Sequence, residues 1–283
     1  MNRISERLVK LNHCSEISWN TIYHLLKSDP TLSHFSTTRN LTPKLQQELE
    51  KVFDTNFVEE QIVQYEYNQI KTITYFDPLY PSLLKEIYQP PWVLYVKGDL
   101  SLLQSKKKLA IVGSRLATSY SKNVLSTIIQ ELIAADITIV SGLASGVDAI
   151  AHKQAIANGG KTIGVIAGGL FHIYPKENLE LATTMMNNHL VISEYPPTSK
   201  PLKWQFPMRN RIISGLCNGT LIVEAKKKSG SLITANFAVN EGRDVFAIPG
   251  NILSPYSTGP NQLIQQGAKA VLEAKDILEE WNY

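Results

Sequence analysis

Cysteine is scarce in this sequence: Cys14 and Cys217 are the only two in 283 residues. They lie far apart, form no CxxC and sit among apolar or small neighbours, so buried free thiols are expected rather than a disulfide framework or a metal site. Long apolar runs are missing too. No stretch approaches the roughly 18 apolar residues of a membrane span, and MNRISERLVKLNHCSEISW carries charge where a signal peptide needs an apolar run of about 7–15 residues. The expectation is a soluble, cytoplasmic chain with no membrane partner.

Several enzyme signatures are also absent. The first β-branched run is not followed by GxGxxG, and the second ends in Ser141 and Gly142 instead of an acid for a ribose, which argues against NAD. Without GxxxxGK[ST], HExxH or GxSxG, the usual marks of ATP hydrolysis, zinc proteolysis and serine hydrolysis are lost. Glu194 and Glu224 fall at strand ends with no partner nucleophile and are read as loop-ordering groups; His152 falls inside a helix, where packing is its expected role. No catalytic residue, metal or cofactor is expected.

With 43% hydrophobic and 19% charged residues the composition is that of an ordinary globular protein, and the length suggests two domains at roughly 100–200 residues each. The net charge of +3 is small but unevenly spread. Residues 105–122 hold Lys106, Lys107, Lys108, Arg115 and Lys122 without an acid, a local +5. Residues 195–230 hold Lys200, Lys203, Arg209, Arg211 and the run Lys226, Lys227, Lys228 against Glu224 alone, a local +6. Fields of that size attract polyanions, although a lysine run taken singly reads equally well as a solvated face.

Residues 1–75 read as helical: LVKLNH, WNTIYHLLK, TPKLQQELEKVF and FVEEQIVQYEYNQI space their apolar residues by three and four. Residues 76–108, punctuated by Pro78, Pro81, Pro90 and Pro91, read as a connector with one helix and one strand that packs onto the sheet domain C-terminal to it. From Leu109 to the end, seven apolar runs (LAIVG, ITIVSG, TIGVIAGG, LVISE, TLIVEA, DVFAIPG and AVL) alternate with helical segments, closing on a short helix, EAKDILEEWNY. That alternation predicts an α/β fold, a doubly wound, mostly parallel, Rossmann-like sheet at 109–283 preceded by the small all-helical domain.

Ligands of such sheets bind outside the carboxyl ends of the strands, and the loops there are rich in Gly, Ser and base. In GSRLATS, Gly113 permits close approach, Ser114 and Arg115 project over the edge, and Thr118 or Ser119 can cap the next helix. In SGLASGVD, Ser141, Gly142, Ser145 and Gly146 leave amides at a helix start. In AGGLFHIYPKEN, Gly168 and Gly169 end a strand and Lys176, followed by Asn178, begins a helix against its dipole, where an anion would compensate. The loop at 193–210 exceeds the usual connection of about 2–6 residues and mixes Tyr195, Lys200, Lys203, Trp204, Phe206 and Arg209, a blend suited to stacking bases and tracking phosphates. In FPMRNRIISGL, steps of about 100° per residue place Arg209 on the stripe of Ile212, Ile213 and Leu216. Arg209 is expected at the ligand edge beside Asn210, with Arg211 turned away as surface or an internal ion-pair partner.

Taken in order, AIVGSR, SGLASGVDAIAH, AGGLFHIYPKEN, SEYPP, FPMRNRIISGL, EAKKKSGSLITANFA and AIPGNILSPYSTGPNQLIQQGA, led by DPLYPSLLKEIYQPPWVLYVKGD, resemble the DNA-processing protein A family (DprA, also called Smf) from about Tyr75 to about Leu272. The resemblance implies a non-enzymatic protein of natural transformation. Such a protein binds incoming single-stranded DNA through a Rossmann-like domain, protects it, helps load RecA and forms a homodimer. It assigns phosphate-gripping roles to Arg115 and Lys176 and lines the same groove with the SG turns and the FPMRNR segment; Lys227 of the KKK run is counted with the candidate DNA contacts on its charge. The N-terminal helices resemble the sterile-alpha-motif (SAM)-like domain of some members. Many members add a C-terminal winged helix; this sequence stops soon after the sheet, so none is expected. The alternative is a nucleotide-processing enzyme, such as a nucleoside-monophosphate phosphoribohydrolase, with Glu224 as its acid. A pure interaction scaffold is a third reading.

Overall fold

The computed structural model describes residues 3–32 and 42–281. Four helices come first: α1 (Arg3–Asn12), α2 (Trp19–Ser28), α3 (Pro43–Asp54) and α4 (Phe57–Tyr67). Local chemistry fixes two of the starts. The hydroxyl of Ser18 accepts from the Thr21 amide ahead of α2, and that of Thr42 accepts from the Leu45 amide ahead of α3, where Pro43 has no amide hydrogen to leave unpaired.

Beyond these helices the chain forms a single nine-stranded sheet. Strand β1 (Lys71–Thr74) pairs antiparallel with β2 (Val93–Gly98), a helical turn α5 (Ser82–Lys85) lying between them. The alternating part is β3 (Lys108–Val112), α6 (Ser119–Ala134), β4 (Thr138–Ser141), α7 (Val147–Ala157), β5 (Thr162–Ile166), α8 (Leu179–Asn188), β6 (Leu190–Ser193), α9 (Gln205–Gly215), β7 (Gly219–Ile222), α10 (Gly230–Asn240), β8 (Asp244–Ala247), α11 (Thr258–Gln265), β9 (Lys269–Ala270) and α12 (Lys275–Trp281). The strand order is β1-β2-β6-β5-β4-β3-β7-β8-β9, with β2 antiparallel to β6 and all later pairs parallel. The sheet is thus the doubly wound α/β form expected. Every residue of β3 to β7 is buried, as helices on both faces require.

Two features of the expected domain plan take a different form. β1 lies before position 75 and β2 inside the 76–108 connector, yet both complete the sheet. The helices at 3–67 also share one hydrophobic core with it: Leu8, Val9 and Tyr65 pack with Trp92, Tyr95, Met185 and Val191. Trp19 stacks on Trp92 at 5.0 Å between ring centroids and donates its indole N–H to the Pro90 carbonyl at 2.7 Å. Neither contact has a signal in local periodicity, because each joins residues about seventy positions apart.

From β3 the chain winds outward through β4, β5 and β6, then crosses back to β7 on the other side of β3. The β3/β7 junction is therefore the topological switch point, where two neighbouring connections leave in opposite directions and open a crevice.

Candidate functional site

At that junction lies a cleft of about 980 Å³. Its walls come from the turn after β3 (Gly113 to Leu116), the entry to α9 (Lys203, Phe206) and the loop from β7 into α10 (Lys226 and Lys228 to Ser231), with Tyr256 closing one side. Asp148, Arg209 and Thr234 form buried parts of its lining.

The floor explains why several glycines are needed. Gly146, at the start of α7, has φ +76°, and a Cβ there would fall 2.3 Å from the Ser114 carbonyl oxygen. Only glycine lets α7 close against the turn carrying Arg115. At Gly142 a Cβ would fall 2.5 Å from the Arg209 guanidinium, whose Nη1 donates to the carbonyls of Gly142 and Val165 while Nε donates to Asn210 Oδ1 at 3.1 Å. Burial pulls this guanidinium down to about 10, opposed by Asp148 and aided by Arg115, so it stays charged at neutral pH. Asp148 receives the Gly142 amide at 3.1 Å. Burial pushes the Asp148 carboxyl up, while Arg209 and the amides of Gly142, Ala144 and Gly113 oppose the shift. The amides expected to hold a ligand phosphate here are met by the chain's own carboxylate.

The rim is different in kind. Arg115 is exposed and lies over the Phe206 ring, 5.7 Å from its centroid; Phe206 in turn meets Tyr174 edge-on at 5.7 Å. Lys226 lies over Tyr256 at 4.9 Å. Arg115, Lys203, Lys226 and Lys228 border the cleft, and none has an ion-pair partner among the described residues. The nearby acids are engaged: both oxygens of Glu224 accept from Thr118, from its amide at 3.1 Å and its hydroxyl at 2.6 Å, and Glu194 pairs with Arg211 at 2.5 Å. Cations face the cleft while carboxylates are turned into the framework, which leaves a positive, aromatic-rimmed surface.

The structure brings Gly113, Ser114, Arg115, Phe206, Arg209 and Asn210 together in this cleft. Arg209 does not stand at the rim as expected: it is 5% exposed, because the sheet-facing stripe of α9 lies beneath the carbonyls that end β4 and β5. Arg211 is the internal ion-pair partner, not a surface group. Lys227 lies outside the lining while its neighbours Lys226 and Lys228 border it. Ser141 donates to the Ile111 carbonyl at 2.6 Å, Ser145 to Glu177 at 2.5 Å and the Asn178 amide group to the Leu143 carbonyl at 2.9 Å, so these three support the framework. Gly168 and Gly169 carry the 196–201 loop: Gly168 accepts from Ser193 Oγ, and a Cβ on Gly169 would fall 2.1 Å from the Pro196 carbonyl oxygen. Lys176 and Lys200 are exposed and, like Lys227, are not among the residues that line the cleft, although Tyr174 and Pro201, close to them in sequence, are. The sequence offered Lys226 and Lys228 only as members of a basic run, and missed Ser229, Ser231, Thr234 and Tyr256. The first three of these lie in or just after the EAKKKSGS loop, whose base and small polar residues are the available signal; Tyr256 comes from beyond β8 with no local mark.

Among the described residues no group of His, Cys, Asp and Glu could hold a metal ion, and no helix is long and apolar enough to cross a membrane. Cys14 and Cys217 are buried free thiols, and burial raises the pKa of both.

Comparison with known proteins sets this cleft in context. The family model described as DNA recombination-mediator protein A matches residues 71–282. DNA processing protein DprA of Bacillus subtilis is 47% identical over 261 residues, covering 90% of this chain and 87% of its own, and that of Streptococcus pneumoniae is 49% identical over 218 residues, 77% of each. The X-ray structure of the Streptococcus pneumoniae protein superposes with a TM-score of 0.87 at 38% identity, covering 100% of this chain and 99% of that one. DNA processing protein A of Helicobacter pylori, solved for its single-stranded DNA binding mode, superposes with a TM-score of 0.68 at 32% identity over 75% of this chain and 95% of that one.

Proposed function

The chain belongs to the DNA recombination-mediator protein A family, and from that premise we propose that its switch-point cleft binds single-stranded DNA without sequence preference. The carrying observation is the rim: four cations without ion-pair partners among the described residues, interleaved with Phe206, Tyr174 and Tyr256, and the nearby carboxylates held in the framework. Rim cations without acid partners contact phosphates, and aromatic faces take unpaired bases of any identity because every base offers a π-face. The side-chain amide best placed to read a base edge, Asn210, is occupied: its oxygen accepts from Arg209 and its nitrogen donates to the Gly230 carbonyl at 3.2 Å. That supports binding by backbone and stacking over direct readout.

In this reading the protein is a mediator, not an enzyme. It covers incoming single strands, works as a homodimer and delivers strands to RecA. Glu224, the acid the nucleotide-hydrolase alternative would need, has both oxygens on Thr118. The functional test is RecA nucleation on oligo-dT with and without the protein, alongside incubation with nucleoside monophosphates. Faster nucleation with no released base is expected. Released base with no effect on RecA would overturn the reading.

A further inference from the structure

The basic run at 106–108 is not used by the cleft, whose lining holds none of its three lysines. Lys108 opens β3 and Asn218 directly precedes β7, so both lie at the end of that strand pair opposite the cleft. A second, smaller cavity of about 260 Å³ lies there. Its walls are residues 81–83, 103–106, Lys108 and Asn218, with no Asp or Glu among them. Lys106 is exposed at its rim, whereas Lys108 is only 4% exposed. A lysine is almost never buried to that degree without a partner. The Lys108 ammonium donates to the Leu103 carbonyl at 3.2 Å and to the Ser105 carbonyl, which occupies two of its three N–H donors. No carboxylate pairs with Lys108 or Lys106 among the described residues. Burial lowers the Lys108 pKa, with Cys217 opposing, the direction of a cation short of counter-charge. Carbonyl dipoles solvate that charge but leave it uncancelled, and one donor remains for a ligand.

We propose that this cavity binds a small free oxyanion, with Lys108 as its buried anchor and Lys106 as the charge at its mouth. Size decides against a nucleotide: pockets for larger organic ligands run to about 300–1,000 Å³, and this one falls below that range. Ser82, Ser105 and Asn218 supply neutral donors to the wall, and an ammonium with such donors is the set that takes an anionic oxygen. A phosphate and a carboxylate share that chemistry, and the experiment separates them. The inference is independent of the single-strand reading, because the cavity and the cleft have no lining residue in common.

The test uses the full chain and reads thermal shift against inorganic phosphate and, separately, acetate, each at matched ionic strength so that general salt effects cancel. The wild type should show a saturable rise in melting temperature, and the ion that acts at the lower concentration names the class. Lys108→Met removes a charge-assisted donor and should weaken the apparent affinity by about 10-fold or more. Asn218→Asp keeps the oxygen that accepts from the Lys108 amide at 3.0 Å and adds a negative charge to the wall. It should abolish the response, and it decides the matter if Lys108→Met does not fold. Arg115→Gln alters the cleft alone and should respond like the wild type. The site is overturned if neither ion gives the wild type a saturable rise, if either cavity variant keeps the rise undiminished, or if Arg115→Gln loses it.

Discussion

Replacing Arg209 by methionine should destabilise the fold while leaving the salt dependence of DNA binding in place. The change keeps most of the side-chain length and removes the donors to Gly142 O and Val165 O, together with the charge facing buried Asp148. Hydrogen bonds from a charged group contribute about 1.5–3 kcal/mol each, and removing one partner of a buried charge pair costs about 3–5 kcal/mol. A net loss of about 3–5 kcal/mol results, because the two estimates describe overlapping interactions. For a chain of 283 residues that corresponds to a fall of roughly 5–8 °C in melting temperature. The sign of the pH dependence is fixed by the same pair. Burial holds the Asp148 carboxyl above the ordinary 3.8, so just above that pH the folded protein keeps a proton the unfolded chain has lost, and stability falls as pH rises through the window. Without Arg209 that window extends upward, and the deficit should be larger at neutral pH than in mild acid. Melting curves at several pH values, with oligo-dT salt titrations below the melting point, provide the measurement. A variant that melts like the wild type but loses about 0.7 from the salt slope would refute the scaffold role and restore Arg209 as a phosphate contact.

Arg115 is the complementary case: it is exposed and has no ion pair among the described residues, so Arg115→Gln should melt like the wild type and flatten the salt slope by about 0.7, read from the same titrations. Gly146→Ala should cost about 1–3 kcal/mol from its φ of +76° alone, and more from the 2.3 Å approach to Ser114 O; weaker oligo-dT binding should accompany the lower melting temperature as the Arg115 turn is displaced. His152 is buried, its Nδ1 paired with Thr162 Oγ1 at 2.7 Å and its Nε2 without a partner among the described residues; burial pulls its pKa from 6.5 to about 3. Stability tied to this neutral imidazole is complete above 6.5 and is lost as pH falls toward 3, about 2 kcal/mol of it by pH 5; His152→Gln should flatten that limb in urea titrations, and an unchanged limb would count against the assignment.

Much of the fold was legible because the local signals agree with the tertiary arrangement. Six apolar runs hold β3 to β8, and the seventh, AVL, overlaps β9 at Ala270. The shared core of the N-terminal helices and the sheet was not legible, since α1 and α4 read the same whether their apolar stripe meets one another or a strand. The site divides in the same way. The helical wheel set Arg209 on the sheet-facing stripe, where it is; what the wheel lacks is depth, and that stripe lies under the ends of β4 and β5 instead of at the rim. Asp148 stood in SGLASGVD as a first-turn acid, a visible hint that the amides before it are met from within. Lys226 and Lys228 border the cleft and Lys227 does not, a distinction made by the turn the backbone takes there, which a run of identical residues cannot encode. Tyr256 is held at the cleft from the loop beyond β8, where its carbonyl accepts from the Ala225 amide at 2.7 Å, a contact between residues 31 apart that no local pattern announces.

The most direct test of the account is a salt titration of binding to oligo-dT, with the matching duplex as control. Phosphate contacts by Arg115, Lys203, Lys226 and Lys228 at about −0.7 each predict log K falling with log salt at a slope near −3, with the single strand preferred over the duplex. A flat response, or tighter binding to the duplex, would contradict the assignment of this cleft to single-stranded DNA.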